Sequence, residues 1–151
     1  MPLPTPEFAD YDPTFEGLMR GAGEFTLEGL PGYLGLRTTG VGPGQLTCEL
    51  AVRDELLNPF GSLHGGVIAA LVDHVLGAVL YPVIPRGAWA ATTEFKLNLL
   101  APVTGGVVAA EATIISKTKR TAVVRIDVTN DGNAVGAAQG TVTIVPPRPA
   151  P

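Results

Sequence analysis

The stretch Asn58-Pro-Phe-Gly-Ser-Leu-His-Gly-Gly66 runs directly into a long apolar segment whose interior holds one carboxylate, Asp73. A polar loop, a glycine-opened helix and an acid among apolar residues are parts suited to acyl chemistry. Such chemistry needs a donor for a developing oxyanion and a base or nucleophile. Gly65 at the helix start offers a backbone N–H, and helix N-termini carry unpaired donors and partial positive charge. Asn58 can hold a substrate or order the loop through its amide, while Pro59 fixes and Gly61 then releases the backbone. Two readings of Asp73 stand side by side: a structural acid satisfied by His74 or a backbone donor, or a general base or nucleophile facing a water-poor cleft. His64-Gly65-Gly66 alone is an ordinary glycine-rich helix entry, so the weight falls on the combination.

The elements that must position these residues follow from periodicity. Val67, Ile68, Leu71, Val72, Val75, Leu76, Val79 and Leu80 recur in pairs every four residues until Pro82, which predicts one helix from Gly65. Ala69, Ala70, Gly77 and Ala78 fill much of its other side. A helix apolar or small all round is expected to be buried, and Asp73 with it, at a cost that demands partners. Strands are predicted at residues 33–39 and 45–52 with a glycine turn at 40–44, and then at 90–102, 107–116, 121–129 and 134–145. Within residues 90–102, Thr93, Phe95, Leu97 and Leu99 alternate with Glu94, Lys96 and Asn98, one apolar and one polar face. Asn130-Asp-Gly-Asn133 is the clearest hairpin turn. Consecutive strands imply an antiparallel sheet, and one long helix against it makes an α+β architecture. Residues 13–20 are expected to form a short helix before the Gly21-Ala-Gly23 break.

Asn58, Gly61, His64-Gly65-Gly66 and Asp73 together resemble the hotdog-fold acyl-CoA thioesterases of the phenylacetate-pathway type. The resemblance runs from about Gly32 to Val145 and divides the chain into an N-terminal extension (1–31), a hotdog domain (32–146) and a proline-rich tail (147–151). It implies an antiparallel sheet wrapped around the central helix. It also implies that Asn58, His64 and the Gly65 N–H sit on the thioester side, that Asp73 attacks or activates water, and that Thr92 assists, with Thr93 adjacent. By the same resemblance Gly66 lies against substrate. Lys117, Lys119 and Arg120, with Arg125 nearby, then stand where relatives contact the phosphates of coenzyme A; a solvated hairpin tip is the other reading. Asp73 follows Gly65 by eight residues, roughly 12 Å at ~1.5 Å per residue, too far for one carbonyl to touch both. The family's arrangement answers this by pairing two hotdogs, each site taking its loop from one subunit and its acid and Thr from the other, with pairs assembling into a homotetramer. A non-catalytic acyl-CoA sensor on the same fold is the rival; it would not need the helix acid.

Composition agrees with one domain that self-associates. Of 151 residues 46% are hydrophobic and 16% charged, more apolar surface than one small core needs, so an oligomer is predicted. A net charge of -4 offers no general attraction for nucleic acid or anionic membranes. The single cysteine, Cys48, alternates with Leu46 and Leu50 as a core thiol and suits a reducing compartment. The N-terminus lacks the basic and apolar segments of a signal peptide, so the cytoplasm is expected. The central helix, interrupted by Asp73 and His74 and ended by Pro82, is not expected to span a bilayer. Neither Ser62 nor Ser116 sits in G-x-S-x-G, and two histidines with one cysteine give no zinc-ligand spacing, so no metal or prosthetic group is expected.

Overall fold

The computed structural model describes residues 6–19 and 28–151. Its frame is a six-stranded sheet, antiparallel throughout, of β1 (Arg37–Gly42), β2 (Gln45–Ala51), β3 (Trp89–Leu99), β4 (Val107–Lys117), β5 (Thr121–Asn130) and β6 (Asn133–Val145). The spatial order β1-β2-β4-β5-β6-β3 leaves β1 and β3 as edges. Strict alternation fixes the faces: in β5, Ala122, Val124, Ile126 and Val128 point inward while the residues between them are more exposed. Asp131 (φ 47°) and Gly132 (φ 86°) form the two-residue turn between β5 and β6, both left-handed as such a hairpin requires.

Two short stretches lie differently from the sequence expectation. Residues 29–34 form α2 (Gly29–Leu34), so β1 starts at Arg37 and not at Tyr33. Gly35 stops this helix: its N–H donates to the Gly32 carbonyl (3.0 Å) and the Leu36 N–H to the Pro31 carbonyl (3.0 Å), which satisfies two terminal carbonyls. β1 also continues through Gly40 to Gly42, bulging between Thr38 and Gly40, and leaves only Pro43-Gly44 as the turn. The predicted N-terminal helix is α1 (Thr14–Met19); Arg20 and the Gly21–Gly23 break lie outside the described residues.

Helix α3 (Gly65–Ala78) lies along the inner face of the sheet, with Ile68, Leu71, Val72, Val75 and Leu76 buried against it. These side chains join Leu46, Leu50, Ile114 and Ile126 in one continuous core, where truncating a leucine to alanine costs about 2–5 kcal/mol. By length and composition the 19-residue run Gly65–Val83 is apolar enough to cross a membrane, which corrects the expectation that Asp73, His74 and Pro82 disqualify it. Half of that run is buried inside the fold, the pattern of a core helix. A second expectation also fails: α3 is not covered all round. Gly66 and Asp73 are exposed, and Ala69, Ala70 and Gly77 only half-buried. The small residues mark the side of the helix that the sheet does not reach.

Candidate active site

The loop before α3 is a self-contained hairpin. Leu57 and Leu63 form an isolated antiparallel bridge, and the Asn58 N–H donates to the Ser62 carbonyl (2.7 Å). The Asn58 carboxamide oxygen accepts from the N–H groups of Phe60 (2.9 Å) and Ser62 (3.2 Å), and the Gly61 N–H donates to the Asn58 carbonyl (3.1 Å). Gly61 turns the chain at φ 83°, where a side chain would be strained. Of the two roles open to Asn58, its oxygen therefore orders the loop; its NH2 group remains for other partners. The hairpin is tied to the body of the fold by Leu63 N–H to the Val103 carbonyl (2.6 Å) and His64 N–H to the Leu56 carbonyl (2.9 Å).

His64 is the N-cap of α3, and its Nδ1 accepts from the Gly66 N–H at 2.9 Å. A neutral imidazole accepting at Nδ1 carries its proton on Nε2, so the ring presents a donor away from the helix. The first free amides of the helix are thereby sorted. Gly66 gives its N–H to His64, while among the described residues no partner takes the Gly65 N–H. Leu99 covers the same helix start: a Cβ at position 65 would stand 2.8 Å from its Cδ1.

Asp73 is not the buried acid expected from the sequence. It lies on the uncovered side of α3 and is exposed in the single chain. The helix needs only its sheet-facing residues to make the core, so within one chain the carboxylate is left in water. His74, next to it, is half-buried, and burial pushes its imidazole below the usual 6.5, with the Asp73 charge opposing. A bulge separates the two candidate threonines of β3. Thr92 pairs with buried Val142 and shares its helix-side face, whereas Thr93 hydrogen-bonds Thr143 (2.7 Å) on the outer face.

The basic residues do not gather into one site. Lys117 and Lys119 line a cavity of about 560 Å³ together with Arg86, Asp10 and Asp12. Arg120 is exposed at the β4–β5 turn, where its N–H is held by Thr118 Oγ1 (3.2 Å), and Arg125 is paired with Asp127 at 3.0 Å. This cavity includes Ile144, the partner of Ala90, while Gly65 lies by Leu99. Leu99 lies nine positions beyond Ala90 along β3, roughly 30 Å at ~3.3 Å per residue, so one chain holds its basic cavity and its helix start at opposite ends. Sequence reasoning missed one further feature, an apolar cavity beneath α1 and beside His74, because the N-terminal segment carries no motif.

Known proteins of similar sequence and shape give these features a context. Residues 60–137 match the model of the thioesterase superfamily. Acyl-coenzyme A thioesterase 13 of Homo sapiens is 31% identical over 99 residues, 65% of this chain and 70% of that protein. The 1,4-dihydroxy-2-naphthoyl-CoA hydrolase of Listeria monocytogenes is 31% identical over 103 residues, 68% of this chain and 84% of that one. Among solved structures, a thioesterase from Haemophilus influenzae superposes with a TM-score of 0.80 at 23% identity over 92% of this chain and 95% of its own, a likeness of fold. The phenylacetic acid degradation protein PaaI of Thermus thermophilus gives 0.69 at 28% identity over 75% of this chain and 96% of its own. A family match that begins within the loop and runs through the helix into β6, with relatives named as a coenzyme A thioesterase and a CoA hydrolase and a sheet that superposes on solved hotdog neighbours, makes the chain a hotdog-fold member of the thioesterase superfamily and a thioester hydrolase.

Proposed function

We propose that the protein hydrolyses acyl-coenzyme A thioesters to free acid and coenzyme A, at sites built between two copies of the chain. The observation that carries this is the Gly65 N–H, which has no partner among the described residues, at the start of the 14-residue core helix and beside a Gly66 N–H already satisfied by His64. An unpaired amide there can polarise a thioester carbonyl and stabilise the oxyanion that forms from it. A thiol leaves easily, since its pKa is near the ~8.5 of cysteine, so one donor and one base suffice without strong acid catalysis. In this reading Asp73 activates water or attacks the carbonyl to form a mixed anhydride, Thr92 places the water, and the Asn58 hairpin and His64 hold the donor in position. Lys117, Lys119 and Arg120 receive the phosphates of coenzyme A. The names of the curated relatives, which specify coenzyme A thioesters, support that carrier.

The shared site is supported by two features of the single chain. Gly65 and Asp73 lie on the same helix, eight residues apart, about 12 Å along its axis, so they serve one carbonyl only from different subunits. β3 is an 11-residue edge strand whose outer side is unpaired among the described residues, with Trp89 61% and Leu99 54% exposed, a surface that proteins rarely leave open. Antiparallel pairing of two β3 strands brings the Leu99 end of one chain to the Ala90 end of the other. The helix start then faces the partner's Asp73 and its basic cavity.

The test is thiol release from a panel of aryl and straight-chain acyl-CoA substrates by the native protein and by Asp73→Asn. Turnover lost in the variant, with acyl-CoA binding retained, is the expected result. Tight binding by the native protein without turnover would overturn the catalytic reading in favour of a sensor.

A further inference from the structure

The segment before the sheet is held in place by a clamp, two of whose residues, Asp12 and Arg86, also line the basic cavity that holds Lys117 and Lys119. The Asp12 N–H donates to the Pro82 carbonyl (2.7 Å), and the Asp12 carboxylate accepts from the Thr14 N–H (3.0 Å) and hydroxyl (2.6 Å) at the start of α1. Arg86 donates twice to the same carboxylate (3.2 and 2.8 Å) and once to Thr14 Oγ1 (2.9 Å). Its guanidinium also lies 6.0 Å from the centroid of the Phe15 ring. A six-residue helix has no stability of its own, so α1 stays folded because this clamp fixes its first turn.

The clamp leaves an apolar cavity of about 290 Å³ between α1 and the body of the fold. Phe15, Leu18 and Met19 wall it from α1, Thr38 from β1, and His74 and Ala78 from α3. Thr38 is not a free polar group, since its hydroxyl is bonded to Cys48 Sγ at 3.3 Å. His74 directly follows Asp73, about 100° round the helix, so the cavity adjoins the side of α3 that carries the carboxylate. A group attached to a carbonyl at Asp73 therefore has an apolar compartment one residue away.

We propose that this cavity receives the apolar end of the acyl group and that α1 is its specificity-determining wall. The inference rests on the thioesterase reading above and extends it to a substrate class. The cavity holds about 290 Å³, roughly twice the ~150 Å³ that takes up benzene in an apolar interior. That size fits a single-ring aryl group with a short linker or a medium-length alkyl chain. A long-chain acyl group runs past it through its open side, so the gain per methylene ends there.

The experiment measures kcat/KM for acetyl-, butyryl-, hexanoyl-, octanoyl- and phenylacetyl-CoA. In parallel, calorimetry measures binding of the matching S-alkyl-coenzyme A thioethers, which cannot be hydrolysed. For the native protein, affinity and kcat/KM rise about fourfold per added methylene until the cavity fills. Leu18→Trp, which narrows the cavity from α1, lowers the octanoyl-to-acetyl ratio by about tenfold or more. Arg86→Gln, which releases the clamp, flattens the dependence on chain length. Leu30→Trp, an exposed position on α2 outside the cavity, leaves the ratio unchanged. If thioesters are hydrolysed but neither Leu18→Trp nor Arg86→Gln moves the ratio, the cavity assignment is wrong and the hydrolase reading stands. If nothing is hydrolysed while thioethers bind with a length dependence that Leu18→Trp abolishes, the cavity stands and the hydrolase reading falls. Thioether binding indifferent to alkyl length overturns the cavity in either case.

Discussion

Replacing Gly65 by proline exchanges its amide hydrogen for a ring carbon, and the backbone at this position accepts the exchange. Position 65 is the first residue of α3, where proline is favoured because its missing N–H has no helical partner to lose. The preceding residue must be extended when proline follows, and His64 already is, at φ -61° and ψ 131°. Of the added ring atoms, the new Cβ would meet Leu99 Cδ1 at 2.8 Å. That atom is the end of a flexible side chain, so a rotamer shift costing about 0.5–1.5 kcal/mol relieves it. Gly65→Ala carries the same Cβ and keeps the N–H, which makes it the control for the Cβ contact with Leu99. With this N–H as the oxyanion donor, Gly65→Pro loses about 10²–10³ in kcat relative to Gly65→Ala, or about 2.7–4 kcal/mol. Steady-state thiol release on one acyl-CoA substrate, with circular dichroism melts to show that both variants fold, measures the difference. A proline variant within about threefold of the alanine variant in kcat would refute the donor assignment.

Other predictions address assembly, packing and pH. Asp73→Ala and Gly65→Pro, each inactive alone, should recover about half of native turnover in verified heterodimers, because one of two symmetric sites is then intact; no recovery rules out the shared site. At Gly140 an added Cβ would stand 2.7 Å from both the Glu94 carbonyl oxygen and Phe95 Cβ and 2.9 Å from Leu76 Cδ2. Gly140→Ala should therefore cost about 1–3 kcal/mol, read as a Tm lowered by about 2–4 °C per kcal/mol at fixed protein concentration; an unchanged Tm would show that β3 and β6 can part freely. His74, held below the usual imidazole value of 6.5 by burial and partly restored by Asp73, binds a proton less readily folded than unfolded. Stability should fall as pH drops through 6.5 and be regained above it, and melts of His74→Asn should show a shallower loss on the acid side; equal loss in both proteins would place the sensitivity elsewhere.

The elements that local chemistry dictates were readable from the chain. Paired apolar residues every four positions wrote α3, period-two alternation wrote β4, β5 and β6, and Asn130-Asp-Gly-Asn133 wrote a turn that requires left-handed backbone. The loop motif could be placed against the helix start because Asn58, Gly61 and His64 act on atoms within four residues of themselves. Residues 33–36, expected as strand, and 40–42, expected as turn, differ in the structure because competing local signals are close. Gly35 could end a helix as readily as open a strand, and glycines 40 and 42 could turn as readily as extend.

By itself, then, the sequence determined the order of elements, the loop that presents the Gly65 amide and the presence of an acid on the central helix. Only the tertiary structure decided which side of that helix is covered. Asp73 stands in water, and not in the core, because burial depends on what the sheet reaches, a non-local property that helical periodicity cannot report when alanine and glycine occupy the uncovered side. The same holds for the threonines, since a bulge in the β3–β6 register turns Thr93 outward and leaves Thr92 facing in. It holds most clearly for the cavity beneath α1. That cavity exists because Asp12 finds Arg86, 74 positions away in the chain, and no pattern within either segment encodes the meeting.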